Sequence, residues 1–299
     1  MDKTKIIYFI FPEEIDIFER SILQLKRASN YSDTTKYLSV DAILNISDNN
    51  FDWEKSKLPK EYFRDRFLYI QKYVDFCETE SFNVDEAGIY NGVNDWRRFH
   101  LRRNEDFNLI MLDPDIYFQR EILYVLENVI RIIEQETKTY MISPSIAKFW
   151  DSSWDVLGTK RYIDSDTNFD EIDVFGFDKN LDDISIIKQF PPKFGAGWFT
   201  FFSKELVKYI DTPDGLGNYG YDDDYWTEQV KILNQKYNVP QFIIKGLLIQ
   251  EDRKYYHSNY YYKKYVHRLN IDRKIKKKVA YSVMNDELIK FQRKILENK

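Results

Sequence analysis

Short apolar runs and amphipathic segments alternate along the first half of the chain. The apolar run at residues 5–11 predicts a buried strand, and residues 14–28 place their apolar side chains on one face of a helix. A second apolar run at residues 37–46 predicts another strand, which closes in a polar turn. Alternation of this kind builds a largely parallel sheet that is covered by helices, so the pattern predicts an α/β fold.

The same pattern continues to about residue 210. It predicts helices at residues 60–76, 95–103, 120–136 and 204–209, and strands at residues 108–112, 139–142 and 194–202. Between residues 151 and 189 the composition shifts toward aspartate and strong periodicity is lost. We therefore expect a long loop near residues 151–190. Another helix is expected from Tyr225 to Asn234.

The chain becomes basic and rich in tyrosine from Arg253 onward and closes with an amphipathic pattern. A stripe of apolar residues predicts a C-terminal helix within an extension at residues 261–299. This helix could pack on the main domain, dimerise, or lie on an anionic membrane surface.

Composition excludes several classes of protein. The net charge of -5 argues against general nucleic-acid binding, which relies on a cationic excess. Cys77 is the single cysteine, so neither an intrachain disulfide nor a cysteine-based zinc cluster can form. The first apolar run is too short for a signal peptide, and no segment has the roughly 20 apolar residues of a membrane span. We expect a cytoplasmic protein, with peripheral membrane contact through the basic C-terminal segment as the alternative.

Two aspartates, Asp113 and Asp115, end the apolar run at residues 108–112. Hard oxygen ligands at the carboxyl end of a strand suit a divalent cation that holds a diphosphate. On a strand, residues two apart face the same side, so both carboxylates could reach one ion. The structural alternative is that the pair caps the segment that follows.

A second acidic cluster, Asp222 to Asp224, follows a glycine-containing segment and precedes the helix expected at Tyr225. Adjacent carboxylates repel one another, and this repulsion raises the proton affinity that a general base needs. Capping of the helix is the structural alternative, and one of the three serves that purpose.

Two further side chains are candidates for binding a nucleotide donor. Asp48 lies in the turn after the second strand, at the end of the sheet where the base of a nucleotide could bind. Turn formation explains an aspartate at this position equally well. Arg98 belongs to a group of four arginines before the strand that leads to Asp113, and arginines suit phosphate binding. A solvated helix face is the alternative for this group.

The two acidic motifs, in this order, resemble those of GT-A glycosyltransferases. The segment Tyr219-Gly220-Tyr221-Asp222-Asp223-Asp224 is similar to the Trp-Gly-Gly-Glu-Asp-Asp-Asp segment of β-1,4-galactosyltransferases, with the aromatic residue, the second glycine and the glutamate replaced. The resemblance implies a GT-A-like, Rossmann-like fold with a mixed, mostly parallel central sheet, flanked by helices and followed by a C-terminal helical extension. It implies a catalytic domain at residues 1–260, with a nucleotide-binding half at 1–118 and an acceptor half at 119–260.

The resemblance also implies roles for single residues. Asp223 falls on the catalytic base and Asp222 on an acceptor-binding acid. Asp115, with Asp113, would bind Mn²⁺ or Mg²⁺, and Asp113 would also meet the donor ribose or a metal-bound water. A histidine downstream of the acidic cluster would complete the metal site, and His257 fits this position, with His267 as the alternative. Trp198 and Tyr221, which stand beside glycines in the two glycine-containing segments, and Gly197 itself are candidates for contacting the acceptor. His100 is interpreted as structural.

The predicted reaction is transfer of a sugar from a nucleotide-sugar donor, with a UDP-sugar favoured, to a hydroxyl of a glycan, lipid-linked or protein acceptor. The enzyme would be of the hexosyltransferase type, and Asp223 as base predicts inversion at the anomeric carbon. Two alternatives stay open, a metal-dependent nucleotidyltransferase and a noncatalytic sugar-binding or assembly protein.

Overall fold

The structure, a computed structural model, has the α/β architecture that the sequence predicts. It describes residues 3–32, 37–48, 51, 53–103, 106–147, 185–189, 199–216, 222–251 and 273–297. The described strands are β1 (Thr4–Ile10), β2 (Leu38–Asn45), β3 (Thr79–Asp85), β4 (Asn108–Leu112), β5 (Ile116–Phe118), β6 (Met141–Ala147), β7 (Ser185–Gln189), β8 (Phe199–Phe202) and β9 (Gln241–Glu251). The described α-helices are α1 (Ile15–Asn30), α2 (Lys60–Ile70), α3 (Val93–Arg103), α4 (Ile122–Ile133), α5 (Lys204–Val207), α6 (Asp222–Leu233) and α7 (Arg273–Glu297).

All nine described strands belong to one hydrogen-bonded sheet, in the order β3-β2-β1-β4-β8-β6-β9-β5, with β7 also paired to β9. Strands β1 to β4 are mutually parallel where they pair, and β8 enters antiparallel to β4. Strand β6 is antiparallel to β8, so it runs in the same direction as β4, and β9 is parallel to β6. The sheet is therefore mostly parallel. The order β3-β2-β1-β4 is that of a doubly wound nucleotide-binding half.

Apolar side chains alternate between the two faces of the sheet and form two cores. Ile6, Tyr8 and Ile10 of β1 pack on one side with α1, α2 and α4. Ile7 and Phe9 point to the other side and pack with α3, α5 and α6. Such alternation follows from the period of two along a strand, and burial on both faces explains why β1 reads as a continuous apolar run.

Several strands differ from the sequence prediction. Strand β3 lies at one edge of the sheet with most of its side chains partly or fully exposed, so it carries no apolar run. The strands β5 and β9 were also not predicted, and β7 lies inside the loop expected near residues 151–190. The helix expected from Lys60 to Phe76 ends its α-helical part at Ile70 and continues as a short 3-10 turn.

The C-terminal helix α7 packs on the main domain, which was one of the three alternatives for it. Met284 and Ile295 are buried in the core that contains α6, and Leu288 and Phe291 pack against that core. The ammonium group of Lys236 donates a hydrogen bond to the Ile295 carbonyl at 2.8 Å. Among the residues described, no helix has the length and apolar character needed to cross a membrane.

Candidate functional site

The site predicted from the sequence begins where the strand order of the sheet reverses. Strand β1 pairs with β2 on one side and with β4 on the other, so the connections diverge between β1 and β4. In sheets of this kind, ligands bind at the carboxyl ends of the strands beside such a reversal. Asp113 follows β4 directly and therefore lies at this edge.

A buried arginine joins the two acidic motifs. The Arg97 guanidinium, on α3, donates from Nη2 to Asp113 Oδ1 at 2.6 Å and from Nη1 to Asp222 Oδ2 at 2.6 Å. Its side chain is 7% exposed, and that of Asp222 is 4% exposed. The guanidinium carbon also lies 5.7 Å from the centre of the Trp226 ring. Carboxylates that are 109 positions apart in the chain are thus held by one cation.

Helix α6 begins at Asp222, three residues before the predicted start at Tyr225. Asp222, Asp223 and Asp224 therefore form the first turn of the helix instead of preceding it. Negative charge at this position interacts favourably with the helix dipole. The Asp224 amide donates to Asp223 Oδ1 at 2.9 Å, so the first turn also orients the Asp223 carboxylate.

Two carboxyl groups at this site have raised pKa values. Burial, followed by the charges of Asp222 and Asp224, raises the pKa of Asp223 to about 7. Burial also raises the pKa of Asp113 to about 6, although the Arg97 guanidinium acts in the opposite direction. Asp223 is half-buried and Asp224 is exposed. A carboxylate that exchanges its proton near neutral pH can act as a general base.

The metal ligands predicted at Asp113 and Asp115 lie in the turn between β4 and β5, not on a strand. The argument that both carboxylates face one side of a strand therefore does not apply to them. Both are half-buried and offer the hard oxygen atoms that Mn²⁺ and Mg²⁺ prefer. Within the described part of the chain, no group of three or more histidine, cysteine or acidic side chains is arranged to hold a metal.

The remaining predicted donor contacts point elsewhere in this structure. Arg98 donates to the carbonyls of Thr212 and Pro213 at 2.7 and 2.9 Å, and so ties α3 to the segment before α6. Asp48 is 81% exposed and pairs with Lys60. The nucleotide-binding roles given to Arg98 and Asp48 stay predictions.

Several predicted site residues lie outside the part of the chain that the structure describes. These are the acceptor candidates Gly197, Trp198 and Tyr221 and the histidines His257 and His267. Their roles stay predictions.

Arg97 is the residue that the sequence interpretation missed, because Arg98 was preferred within the same group of arginines. The spacing of the apolar residues along helix α3 indicates that Arg97 is buried. Val93, Trp96, Arg97, His100 and Leu101 form the buried stripe of α3, at intervals of three and four. An arginine on a buried stripe needs an anionic partner, and this requirement distinguishes it from Arg102 and Arg103 on the solvated face.

No protein-family model and no curated protein matches the chain in sequence. Among solved structures, the chain is similar to S. aureus TarS 1-349 at 10% identity and a TM-score of 0.47, over 81% of this chain and 60% of that one. It is also similar to a second S. aureus TarS structure at 11% identity and a TM-score of 0.48, over 85% of this chain. The chain thus spans only 60% and 37% of the lengths of these two structures.

Proposed function

We propose that this protein is a metal-dependent glycosyltransferase that moves a sugar from a nucleoside-diphosphate donor to a hydroxyl acceptor. The observation that carries the proposal is the bridge from Asp113 through Arg97 to Asp222. It joins the edge of the sheet where nucleotides bind in doubly wound folds to an acidic helix start that contains a carboxyl of raised pKa.

In this reaction the Asp223 carboxylate takes the proton of the acceptor hydroxyl as the oxygen attacks the anomeric carbon. Attack on the face opposite the leaving diphosphate inverts the configuration. Asp222, fixed by Arg97, would accept a hydrogen bond from another acceptor hydroxyl.

Asp115 and Asp113, with His257 as third ligand, would hold Mn²⁺ or Mg²⁺. The bound ion supplies Lewis-acid stabilisation of the leaving diphosphate. Because Arg97 binds one oxygen of Asp113, the second oxygen of Asp113 would serve the donor side, and Asp115 would be the main ligand of the ion. A UDP-sugar is the favoured donor.

Thermal stabilisation by nucleotides tests the donor half of the proposal. The full chain is heated with uridine, guanosine, adenosine and cytidine diphosphates, each with and without Mn²⁺, because a ligand of the folded state raises the melting temperature by mass action. We expect a manganese-dependent rise for one nucleotide that is lost in Asp115→Ala. No rise with any nucleotide would contradict the proposal and favour a noncatalytic protein.

A donor-release assay tests the base. Asp223→Asn should abolish turnover of the nucleotide-sugar that the thermal experiment identifies, while leaving the nucleotide-dependent rise in melting temperature in place. Asp224→Asn is the matched control, because it removes an exposed carboxylate from the same helical turn. Normal turnover in Asp223→Asn would show that the base is assigned wrongly.

A further inference from the structure

A cavity of about 570 Å³ lies between α3 and the face of strands β1 to β3, and none of the acidic-cluster residues lines it. Its volume is within the range of about 300–1,000 Å³ that is usual for small-molecule sites. The proposed transfer reaction makes no use of this cavity.

Polar side chains converge on the strand side of the cavity. Lys5 Nζ lies 3.1 Å from Asp41 Oδ2, and both side chains are largely buried. Ser81 stands opposite Asp41 in the β2–β3 register, and Asn83 Nδ2 donates to Ser81 Oγ at 2.8 Å. Among the described residues, these groups still offer the Ser81 hydroxyl hydrogen, the side-chain amide oxygen of Asn83 and the second carboxylate oxygen of Asp41 for hydrogen bonding.

Aromatic side chains form the helix side of the cavity. The rings of Trp96 and Phe99 stack with their centres 5.4 Å apart, and Tyr90 meets Trp96 edge-on at 4.9 Å. Trp96 is buried, and its indole N–H has no hydrogen-bond partner among the described residues.

The charges that line the cavity cancel. Lys5 and Arg103 contribute positive charge, while Asp41 and Asp85 contribute negative charge. Asp85 already accepts hydrogen bonds from the amides of Ile89 and Tyr90. Burial and the charge of Lys5 lower the pKa of His100 to about 3, so its imidazole is neutral at physiological pH. The lining therefore suits an uncharged ligand, not a diphosphate.

We propose that this cavity is a binding site for a short, uncharged saccharide, separate from the acidic cluster. A sugar ring combines apolar C–H faces with hydroxyl groups at its rim. It can therefore contact the aromatic wall and at the same time exchange hydrogen bonds with Asp41, Ser81 and Asn83. The site would hold a part of a glycan that is not undergoing the reaction.

Saturation-transfer NMR on the full chain tests this proposal, with the methyl glycosides of glucose, galactose, mannose and N-acetylglucosamine as probes. Metal and nucleotide are left out, so the outcome does not depend on the transfer reaction. We expect at least one glycoside to give a signal that Asn83→Trp abolishes by filling the cavity. Asn83→Ala should weaken its affinity about 3- to 10-fold, as loss of one hydrogen bond does.

Glu80→Trp is the matched control, because Glu80 is an exposed residue of the same strand whose side chain alternates to the other face. It should leave the glycoside signal unchanged. Absence of a signal from all four glycosides, or an equal signal in Asn83→Trp and the parent chain, would overturn the proposal. Asp223→Asn should bind the glycoside normally, so a wrong assignment of the base and a wrong saccharide site give different results.

Discussion

Removal of the Arg97 side chain would leave two carboxylates facing each other. Asp113 and Asp222 both accept hydrogen bonds from its guanidinium, and the arginine and Asp222 are almost fully buried. Burial of such a triad does not by itself make a protein more stable, because desolvation offsets the attraction. Removal of one member of the triad is destabilising, because the remaining charges stay buried without a counter-ion.

Arg97→Met should therefore lower the free energy of unfolding by about 3–5 kcal/mol, measured by urea denaturation at neutral pH. Arg102→Met on the same helix is the control. The side chains in its ion pairs with Asp211 and Asp214 are about half exposed or more. The Arg102→Met substitution should therefore lower the free energy of unfolding by less than about 1 kcal/mol. Equal losses in the two variants would argue against the importance of the buried bridge.

The raised pKa of Asp223 predicts two opposite pH effects. Because the folded-state pKa of about 7 lies above the usual value, the protonated form stabilises the fold at low pH. This contribution is lost as the pH rises toward and through 7. Activity should change in the other direction, because the base must be deprotonated.

We expect kcat/KM to rise with pH and to level off above about 7. We also expect Asp223→Asn to flatten the fall in stability across the same pH range. A pH–rate profile and denaturation curves between pH 5 and 8 check both effects. A parent chain whose activity is constant down to pH 5 would contradict the raised pKa.

Residue type and order could predict only part of the candidate site at this scale. Asp113 and Asp222, which the resemblance selected, do come together. Arg97 could not be separated from Arg98 by composition, because adjacent arginines differ only in the direction that the helix gives them. That direction buries Arg97 beside Trp226, whereas Arg98 binds the carbonyls of Thr212 and Pro213.

Among the elements, helix α7 fixes the segment that leads to α6. Gly215 lies against Val283 so closely that a Cβ at residue 215 would come within 2.7 Å of Val283 Cγ1. Arg98 and Arg102 hold the other side of this segment through Asp214. The contact between α7 and the turn at Gly215 is therefore tight enough to be tested by paired substitutions.

Gly215→Ala should lower the free energy of unfolding by about 1–3 kcal/mol, the usual effect of overpacking. Adding Val283→Ala should recover most of this loss, because it removes the methyl groups that the new Cβ meets. Chemical denaturation of the two single variants and the double variant provides the comparison. Additive losses in the double variant would show that α7 does not press on this turn.

Elements with strong periodicity were predicted well, and edge elements were not. The helix α1 and strand β1 bury one and two faces respectively, and their patterns are visible in the sequence. Strand β3 is an edge strand with the sequence Thr-Glu-Ser-Phe-Asn-Val-Asp, whose exposed side chains leave little alternation to detect. The strand β5 has only three residues, and its position depends on pairing with the distant β9.

For the whole molecule, the described strands form one sheet that joins the two predicted halves. Strands β4 and β8 pair along their length, and the cores on both faces include side chains from each half. We expect urea unfolding to be a single transition, with coincident curves from far-UV circular dichroism and tryptophan fluorescence. Two separated transitions would indicate that the halves are independent folding units.

The pairing of β4 with β8 has a consequence for any attempt to divide the protein. Every residue of β4 is buried, and β8 covers one of its edges from the other half of the chain. A fragment of residues 1–118 would present this apolar strand with unpaired backbone groups along that edge, which is a ready template for association with other chains. We expect such a fragment to aggregate when expressed alone and to stay in solution only when residues 119–299 are supplied with it.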